Sequence, residues 1–334
     1  MKKKTKSKIT VKAKLFAHFE TMRLYTVTWC GLIGLVGSCI VYKGLPPINI
    51  AILAFIIPMM GWIAALYLSD YLDRKLDLIE KPHRPIPSGR IKPNEALAIG
   101  GLFAVSGFLL SFLLSLNNVI LVFITASLVF LYTKISKSRG IIGNFNRGIV
   151  IIAAFFFGVF SKEDPVFTIP VYIILLSLVF FLHDTNSNLV GSIRDIEGDK
   201  KGGYITFPVK YGIKKSMQLS IILSIIYISL IIFITLYYDF LNYLYRFYLL
   251  FLVGIIVLII MYITMFRNIN KMDRKKALMA HEFFIAERVI LASAFILGMI
   301  NQILISTAIF IALLTITLSS QFFIRKRYEF EMIK

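Results

Sequence analysis

The sequence predicts an all-α membrane protein, a polytopic bundle of nine or ten transmembrane helices. Of its 334 residues, 58% are hydrophobic and only 16% are charged, which leaves too few polar side chains to cover a soluble domain of this size. Apolar runs recur from Tyr25 to Phe323, and several reach the roughly 20 residues that a helix needs to cross a bilayer. These runs lack the two-residue alternation of a membrane β-barrel, so helices are the expected spanning structure.

The apolar runs define ten candidate spans, of which the last two are open to a second interpretation. Residues 286–323 could form two short helices hinged at Asn301 and Gln302, or one helix followed by an interfacial segment. The candidate spans are 25–42, 49–69, 95–115, 118–134, 147–160, 167–189, 216–238, 244–266, 286–302 and 304–323.

Positive charge explains the expected orientation of these spans. The net charge is +19, and Lys and Arg concentrate at the N-terminus and in the segments after the second, fourth, sixth and eighth spans. Such alternation is typical of loops that stay on the cytoplasmic side. In a soluble protein this charge would suggest nucleic-acid binding, but here topology and attraction to anionic lipid account for it. No nucleic-acid partner is therefore expected.

The chain is expected to form one membrane domain with short flanking segments. Residues 1–24 are predicted to be a basic cytoplasmic segment with an interfacial helix, 25–323 a single transmembrane domain, and 324–334 a basic tail. Both cysteines, Cys30 and Cys39, fall in the first span, so neither a disulfide framework nor a cysteine metal site is indicated.

Two acidic clusters lie at the ends of predicted spans on one side of the membrane. Seven of the 18 acidic residues fall in two short stretches, four in residues 70–80 and three in residues 195–199. The first stretch ends the second span and the other ends the sixth. Because an even number of crossings separates them, both clusters should face the same compartment.

Within each cluster the carboxylates recur at helical spacing. Asp70, Asp73 and Asp77 are three and four residues apart, and Asp195 and Asp199 are four apart, so each set forms a stripe. Oxygen ligands without His or Cys suit a hard cation, and Mg²⁺ held by a few carboxylates and substrate phosphates is the usual arrangement. The two clusters together predict a diphosphate bridged by Mg²⁺. For either cluster alone, solvated loop charge is an equally good explanation.

Basic and polar side chains near the clusters are candidates for binding the diphosphate. Residues 81–90 follow the first cluster, and their three prolines disfavour a continuing helix and stiffen a cap at the membrane surface. Asn188 is on the stripe that leads to Asp195, and it is expected either to line the site or to pack between helices. The diphosphate-binding candidates are Arg23, Arg84, Tyr132, Lys137, Asn144, Arg147 and Arg194.

These motifs resemble those of the UbiA-type intramembrane prenyltransferases. Residues 69–77 match the family's first motif, Asn-Asp-x-x-Asp-x-x-x-Asp, except that Ser69 stands where Asn is usual. Residues 81–89 are similar to the continuation KPxRPxPSG, and Asp195 with Asp199 meets the second motif, Asp-x-x-x-Asp. Residues 132–144 match a third, weaker pattern. The resemblance runs in order from about residue 20 to residue 215.

The resemblance implies a helical bundle, usually of nine spans, around a central cavity open to the bilayer. It also implies Mg²⁺-dependent transfer of a prenyl group from a prenyl diphosphate. By motif position, the ion and the diphosphate would be held by Ser69, Asp73, Asp195 and Asp199. The phosphates would also contact Arg23, Tyr132 and Lys137. The short Ser69 hydroxyl would reach the ion through water.

The implied mechanism begins with neutralisation of the leaving diphosphate, so that the allylic C–O bond ionises. An apolar wall shields the resulting cation from water until the acceptor captures it. Asp70 or Asp77 is expected to help deprotonate that acceptor. The expected catalytic set is Asp70, Asp73, Asp77, Asp195 and Asp199.

The acceptor has two interpretations. Residues 81–89 look more like branches that prenylate glycerolipid or tetrapyrrole alcohols, whereas residues 194–199 are similar to naphthoquinone-forming members. We expect an aromatic or quinone-precursor acceptor, because such acceptors are the most widespread in the family, with a glycerolipid, tetrapyrrole or other alcohol as the alternative. The expected location is a bacterial cell membrane, with the N-terminus and the active-site loops in the cytoplasm.

Two other classes of protein are alternatives to an enzyme. A transporter would also carry acidic residues, but they should lie near the midplane on broken helices, whereas these lie at helix ends. A cation-binding membrane protein would hold Mg²⁺ without turnover and would not need the proline-rich cap.

Overall fold

Helices make up nearly all of the structure. The computed structural model describes residues 10–162 and 168–330. Its α-helices are α1 (Val11–Met22), α2 (Leu24–Tyr42), α3 (Ile48–Glu80), α4 (Pro93–Ser111), α5 (Leu116–Leu131), α6 (Ile141–Val159), α7 (Val171–Arg194), α8 (Ile196–Lys201), α9 (Phe207–Tyr237), α10 (Leu244–Arg267), α11 (Arg274–Met299), α12 (Ile303–Ser320) and α13 (Lys326–Glu329). Two π-helical turns, Tyr132–Ser136 and Gln321–Arg325, extend α5 and α12, and a 3-10 turn, Ile269–Lys271, follows α10.

The outer surface of the bundle is apolar. Within the described residues, nine helical segments are long and apolar enough to cross a membrane. Large side chains such as Leu102 (65% exposed), Phe123 (69%) and Leu249 (70%) face outward, where water would be an unfavourable neighbour. The predicted class is confirmed, and the protein is a multi-pass integral membrane protein.

The helix α11 differs from the span predicted at residues 286–302. It begins at Arg274, and its charged residues Glu287 and Arg288 are only 3% and 1% exposed. Neighbouring helices α2, α7 and α10 cover these groups. Residues 274–285, which the charge pattern assigns to a basic loop, form the first part of the same helix. Of the two arrangements considered for residues 286–323, the structure has two separate helices, α11 and α12.

A layer of buried ionic groups ties α7 to its neighbours in the interior. Asp184 accepts a hydrogen bond from the Trp29 indole at 3.1 Å and from Arg147 Nε at 3.3 Å, and Arg288 lies 4.0 Å away. Polar groups at membrane depth need such partners, because lipid offers none. This cluster therefore fixes the packing of α7 against α2, α6 and α11.

Helices α2 and α6 approach each other through glycines. A Cβ added at Gly158 would lie 1.8 Å from the Gly34 carbonyl oxygen, and one added at Gly37 would lie 2.2 Å from the Phe155 carbonyl oxygen. Small residues allow this close backbone contact, which is a common way for helices to associate in membranes.

A short parallel ladder joins two loops at the side of the bundle where α3 and α7 end. Strand β1 (Arg139–Gly140) pairs with β2 (Ile205–Thr206), with Arg139 opposite Ile205. The first strand follows α5 and the second follows α8. The ladder therefore holds the loop after α5 beside the acidic end of α7.

Candidate active site

The last turns of α3 carry the first acidic motif as a stripe of side chains. Asp73 lies in its middle, and its Oδ2 accepts hydrogen bonds from the Ser69 hydroxyl at 3.4 Å and from the Lys137 ammonium. Burial alone would lower the pKa of Lys137, but the Asp73 carboxylate raises it above its ordinary value. The structure thus brings Ser69, Asp73 and Lys137 together.

The position of Lys137 is set by local backbone structure. Its N–H donates to the Tyr132 carbonyl at 3.0 Å, which closes the π-helical turn, and the next loop residue, Ser138, accepts from the Ile205 N–H at 3.0 Å. The Lys137 ammonium also lies 5.6 Å from the centre of the Tyr204 ring. Tyr132 is therefore tied to Lys137 by a backbone hydrogen bond, and its contact with the diphosphate stays a prediction.

Asp70 is buried against a cation at the junction of α1 and α2. Its Oδ1 accepts from the Tyr328 hydroxyl at 2.8 Å and from the Arg23 guanidinium. Arg23 has a left-handed backbone, with φ of 47°, which separates the two helices and is uncommon for a residue with a side chain. Burial opposes the charge of Arg23, but Asp70 raises its pKa above the ordinary value.

The proline-rich cap delivers Arg84 to the third carboxylate of the stripe. Arg84 Nη1 donates to both oxygens of Asp77 at 3.0 Å, and both residues are more than 90% buried. The cap leaves the helical path at Lys81 and is closed by the Ile91 N–H, which donates to the Pro85 carbonyl at 3.1 Å. A rigid cap of this kind presents a guanidinium without a mobile loop.

The two acidic motifs meet at Lys81. The Lys81 ammonium lies 3.6 Å from Asp195 Oδ1, and Arg194 Nη2 donates to Asp195 Oδ2 at 2.5 Å. Burial would raise the pKa of Asp195, but Arg194 and Lys81 hold it well below its usual range. Because Lys81 directly follows α3, the contact places the second motif beside the end of the first, on the same face of the membrane.

Asp199 lies one helical turn after Asp195, and its N–H donates to the Asp195 carbonyl at 2.8 Å. Its Oδ2 accepts from the Thr206 hydroxyl at 3.0 Å. Burial, reinforced by the nearby Asp195 charge, raises the pKa of Asp199 to about 6. It is therefore the acid of this motif that binds a proton most readily.

Glu80 was not singled out from the sequence, yet it faces the second motif. Its Oε2 would lie 2.7 Å from a Cβ added at Gly198, the residue just before Asp199. Its other oxygen, Oε1, is buried without a hydrogen-bond partner among the described residues. An orphaned carboxylate oxygen at this point is suited to a cation.

The acidic residues fit Mg²⁺ by their chemistry. Ser69, Asp73, Asp195 and Asp199 offer only hard oxygen donors, and the unpartnered Glu80 oxygen adds another. Among the described residues, no three His, Cys, Asp or Glu side chains converge in the manner of a closed metal cage. Few protein ligands are typical of Mg²⁺ that is held jointly with substrate phosphates.

Asn144 and Asn188 serve mainly to join α6 and α7. In the amide orientation that satisfies its neighbours, the Asn144 side-chain oxygen accepts from Asn188 Nδ2 at 3.2 Å and from the Leu189 N–H at 3.0 Å. Of the two interpretations of Asn188, the contacts are those of helix packing. Among the described residues, the hydrogen-bond partners of the Asn144 side chain are Gly140, Asn188 and Leu189, none of which is a cation of the acidic motifs.

Arg147 also lies away from the acidic motifs. It pairs with Asp184 and stacks 4.6 Å from the centre of the Trp62 ring. Asp184 is about 16 Å along α7 from Asp195, at 1.5 Å per residue. The sequence placed Arg147 in a loop because α6 was expected to begin at residue 147, whereas it begins at Ile141.

The C-terminal end of α12 enters the site, contrary to the expected basic tail. Residues 324–329 continue the helix, and Tyr328 and Glu329 are 1% and 3% exposed. The Tyr328 ring lies between the guanidinium groups of Arg23 and Arg84, each 4.2 Å from its centre. Residues 331–334 of the predicted tail and residues 1–9 of the predicted N-terminal segment lie outside the described residues.

An apolar cavity of about 450 Å³ opens beside the first motif. It lies among α3, α4, α5 and α6, and Leu68, the residue before Ser69, is part of its wall. Val105 and Phe123 also line it and are 56% and 69% exposed, so the cavity reaches the lipid-facing surface. Its volume is within the roughly 300–1,000 Å³ of ligand pockets, and an apolar chain could enter it from the bilayer.

Comparison with known proteins identifies relatives along most of the chain. Residues 28–287 match the UbiA prenyltransferase family. A digeranylgeranylglyceryl phosphate synthase from Pyrococcus horikoshii is 30% identical over 60% of this chain and 70% of its own length. The synthase of the same name from Methanocaldococcus jannaschii is 30% identical over 65% of this chain and 75% of its own length.

Solved structures share the fold. A structure of digeranylgeranylglyceryl phosphate synthase in membranes superimposes with a TM-score of 0.61, at 27% identity, over 86% of this chain and 99% of that chain. A UbiA homologue from Archaeoglobus fulgidus, bound to DMAPP and Mg²⁺, has a TM-score of 0.55 at 14% identity and covers 90% of this chain and 98% of its own.

Proposed function

Because the chain belongs to the UbiA prenyltransferase family, we propose that it transfers a prenyl group from a prenyl diphosphate to a phosphate-bearing glycerolipid. Prenyl transfer is the reaction of the family, and the identity of the acceptor is the part that we propose. Relatives are named for a product in which glyceryl phosphate carries two geranylgeranyl groups. The corresponding reaction adds a geranylgeranyl group to a glyceryl phosphate that already carries one.

This acceptor replaces the quinone precursor that the sequence favoured. The matched relatives support the glycerolipid alternative, and a role in quinone biosynthesis has no support among them. These relatives come from archaea, so the expected bacterial membrane also has no support from them. An active site on the cytoplasmic face stays a prediction from loop charge.

One observation carries the proposed reaction. The ion pair between Lys81 and Asp195, at 3.6 Å, joins the ends of α3 and α7, which supports the proposal that Asp73 and Asp195 serve one site. A single diphosphate could be held between two such motifs, whereas motifs on opposite faces could not share it. The cavity that begins at Leu68 would receive the prenyl chain.

We propose Mg²⁺ as the cofactor, held by Ser69, Asp73, Asp195 and Asp199. The A. fulgidus homologue was solved with Mg²⁺ and a prenyl diphosphate, and the oxygen-only donors of this chain fit the same ion. When bound, Mg²⁺ would supply positive charge to the leaving diphosphate.

The side chains of the protein contribute the other parts of the reaction. Arg23, Arg84 and Lys137 would stabilise the diphosphate as the C–O bond breaks, because fixed cations in a water-poor site act strongly on developing charge. The apolar cavity would keep water from the allylic cation until the acceptor hydroxyl attacks.

Asp70 is the better candidate for taking the proton of the acceptor hydroxyl. Arg84 Nη1 donates to both oxygens of Asp77, so neither oxygen is left without a partner. The contacts of Asp70 with Arg23 and Tyr328 engage only its Oδ1.

A transfer assay with purified protein tests the proposal. Radiolabelled geranylgeranyl diphosphate would be supplied with Mg²⁺ and either geranylgeranylglyceryl phosphate or a hydroxynaphthoate. We expect label in the glycerolipid, and loss of transfer on removal of Mg²⁺ with EDTA. Label in the hydroxynaphthoate alone would contradict the glycerolipid acceptor and restore the aromatic one.

A further inference from the structure

The end of the C-terminal helix places a carboxylate on two arginines of the active site. Glu329 Oε1 lies 3.0 Å from Arg194 Nη1, and Glu329 Oε2 lies 3.0 Å from Arg274 Nη2. One carboxylate therefore joins α7, which carries the second acidic motif, to the start of α11. Both Glu329 and Arg274 lie outside the sequence motifs, and Glu329 also lies beyond the residues that match the family.

This contact is well suited to an anion with two free oxygens. Two guanidinium groups each bind one oxygen of the same group, and arginine forks match carboxylate and phosphate alike. Lys81 adds a third cation close by, because its ammonium lies 3.6 Å from Asp195, which is itself bound to Arg194. A phosphate in place of the Glu329 carboxylate would gain charge and keep both arginine contacts.

The helix that carries Glu329 is held by side chains on one face. Gln321, Arg325, Tyr328 and Glu329 are all at most 5% exposed, while Phe322 and Phe323 are more than 60% exposed. Arg325 Nη2 lies 2.5 Å from His281 Nδ1 on α11, and His83 of the proline-rich cap contacts the Tyr328 carbonyl at 3.2 Å. These contacts aim Glu329 into the site, where it competes with any anion.

We propose that Arg194 and Arg274 form a phosphate subsite, and that Glu329 is an internal carboxylate that occupies this subsite until a phosphate displaces it. Both arginines also lie within ion-pair distance of Asp195, at 2.5 Å for Arg194 and 3.9 Å for Arg274, so the subsite adjoins the second motif. Its place in catalysis rests on the proposed function, since the phosphate could belong to the glycerolipid acceptor or to the donor diphosphate.

Binding of inorganic phosphate tests the subsite without turnover. The thermal unfolding of the purified full chain would be followed as phosphate is titrated, for the parent protein and for Glu329→Gln. Loss of the competing charge should lower the half-saturating phosphate concentration by about fivefold or more. Asp239→Asn, a neutralised carboxylate in the exposed turn between α9 and α10, is the control and should leave phosphate binding unchanged.

A second substitution shows whether the gain depends on the proposed arginine. Adding Arg274→Gln to Glu329→Gln should remove the gain in phosphate affinity. If Glu329→Gln does not fold, Glu329→Asp keeps the charge but shortens the side chain, and it should show a smaller gain of the same sign. Unchanged phosphate affinity in the folded variant, or a gain that persists without Arg274, would overturn the proposal.

Kinetics identify the source of the phosphate. A lower KM of Glu329→Gln for geranylgeranylglyceryl phosphate alone assigns the subsite to the acceptor, and a lower KM for geranylgeranyl diphosphate alone assigns it to the donor. Either result supports a phosphate subsite. If no glycerolipid is prenylated, the proposed function fails, but the phosphate titration still decides the subsite.

Discussion

Lys137 connects the first acidic motif to the segment that follows the second. It pairs with Asp73 on α3, while the loop that carries it is hydrogen-bonded to the strand after Asp199. Its side chain is 28% exposed, so it stays accessible to a substrate. A cation in this position would contact the donor diphosphate and Asp73 together.

Replacing Lys137 with Met should lower kcat/KM for geranylgeranyl diphosphate by about 100-fold or more, because one fixed cation at a developing charge is worth that much. The measurement is initial rate against donor concentration. Lys134→Met, an exposed lysine of the same π-helical turn, is the control and should leave the rate unchanged. Equal rates for the two variants would remove Lys137 from the site.

Ser69 is the one position where the first motif departs from the family pattern. Its hydroxyl is 3.4 Å from Asp73 Oδ2, a long hydrogen bond. A longer carboxamide should reach a bound ion directly, so Ser69→Asn should lower the Mg²⁺ concentration for half-maximal activity severalfold. Ser69→Ala should raise it slightly. A magnesium titration of activity checks both, and a higher Mg²⁺ requirement in Ser69→Asn would contradict a ligand role for this position.

At the scale of helices, the packing of α2 on α6 depends on glycine. Because a Cβ at Gly158 would lie 1.8 Å from a backbone oxygen, Gly158→Ala should destabilise the protein by roughly 1–3 kcal/mol. Thermal unfolding in detergent measures the change. Gly101→Ala on α4, where a Cβ meets nothing within 4 Å, should not lower the unfolding temperature. Equal unfolding temperatures for the two variants would mean that α2 and α6 are not packed this closely.

Helical spacing made the first acidic motif predictable as a stripe, because i, i+3 and i+4 positions share a face. The same rule could have found the C-terminal segment, since Gln321, Arg325 and Glu329 are four residues apart. From residue 324 onward, the surrounding basic residues and the lack of a motif favour a tail instead. Burial of Tyr328 and Glu329 arises from contacts with distant parts of the chain, and local sequence does not encode those contacts.

The sequence also does not show toward which neighbour a polar side chain on a helix points. Asn144 and Arg147 follow a basic loop, but α6 begins six residues earlier than expected, at Ile141. Both side chains therefore belong to a helix that packs on α7. A polar residue contacts either a neighbouring helix or a ligand, depending on how its own helix is rotated about its axis. The apolar pattern around Asn144 and Arg147 does not determine that rotation.

For the whole molecule, the cavity among α3–α6 should determine the prenyl chain length. Gly61 lines it about 12 Å along α3 from Ser69, at 1.5 Å per residue, and a side chain there meets no neighbour within 4 Å. Gly61→Leu should therefore fill the far part of the cavity, reducing transfer from geranylgeranyl diphosphate by about tenfold or more while sparing geranyl diphosphate. Competition between the two donors measures this, with Gly61→Ala as the control. An unchanged donor preference would place the prenyl chain elsewhere.

The central claim is that the ends of α3 and α7 act on one diphosphate as a unit. The direct test is a double-mutant cycle in kcat/KM with Asp73→Asn, Asp195→Asn and the combined variant, at saturating Mg²⁺. Residues that serve one site are strongly non-additive, so each single change should cost about 1,000-fold and the pair little more than either. Full activity in either single variant, or losses that simply multiply, would contradict a shared site.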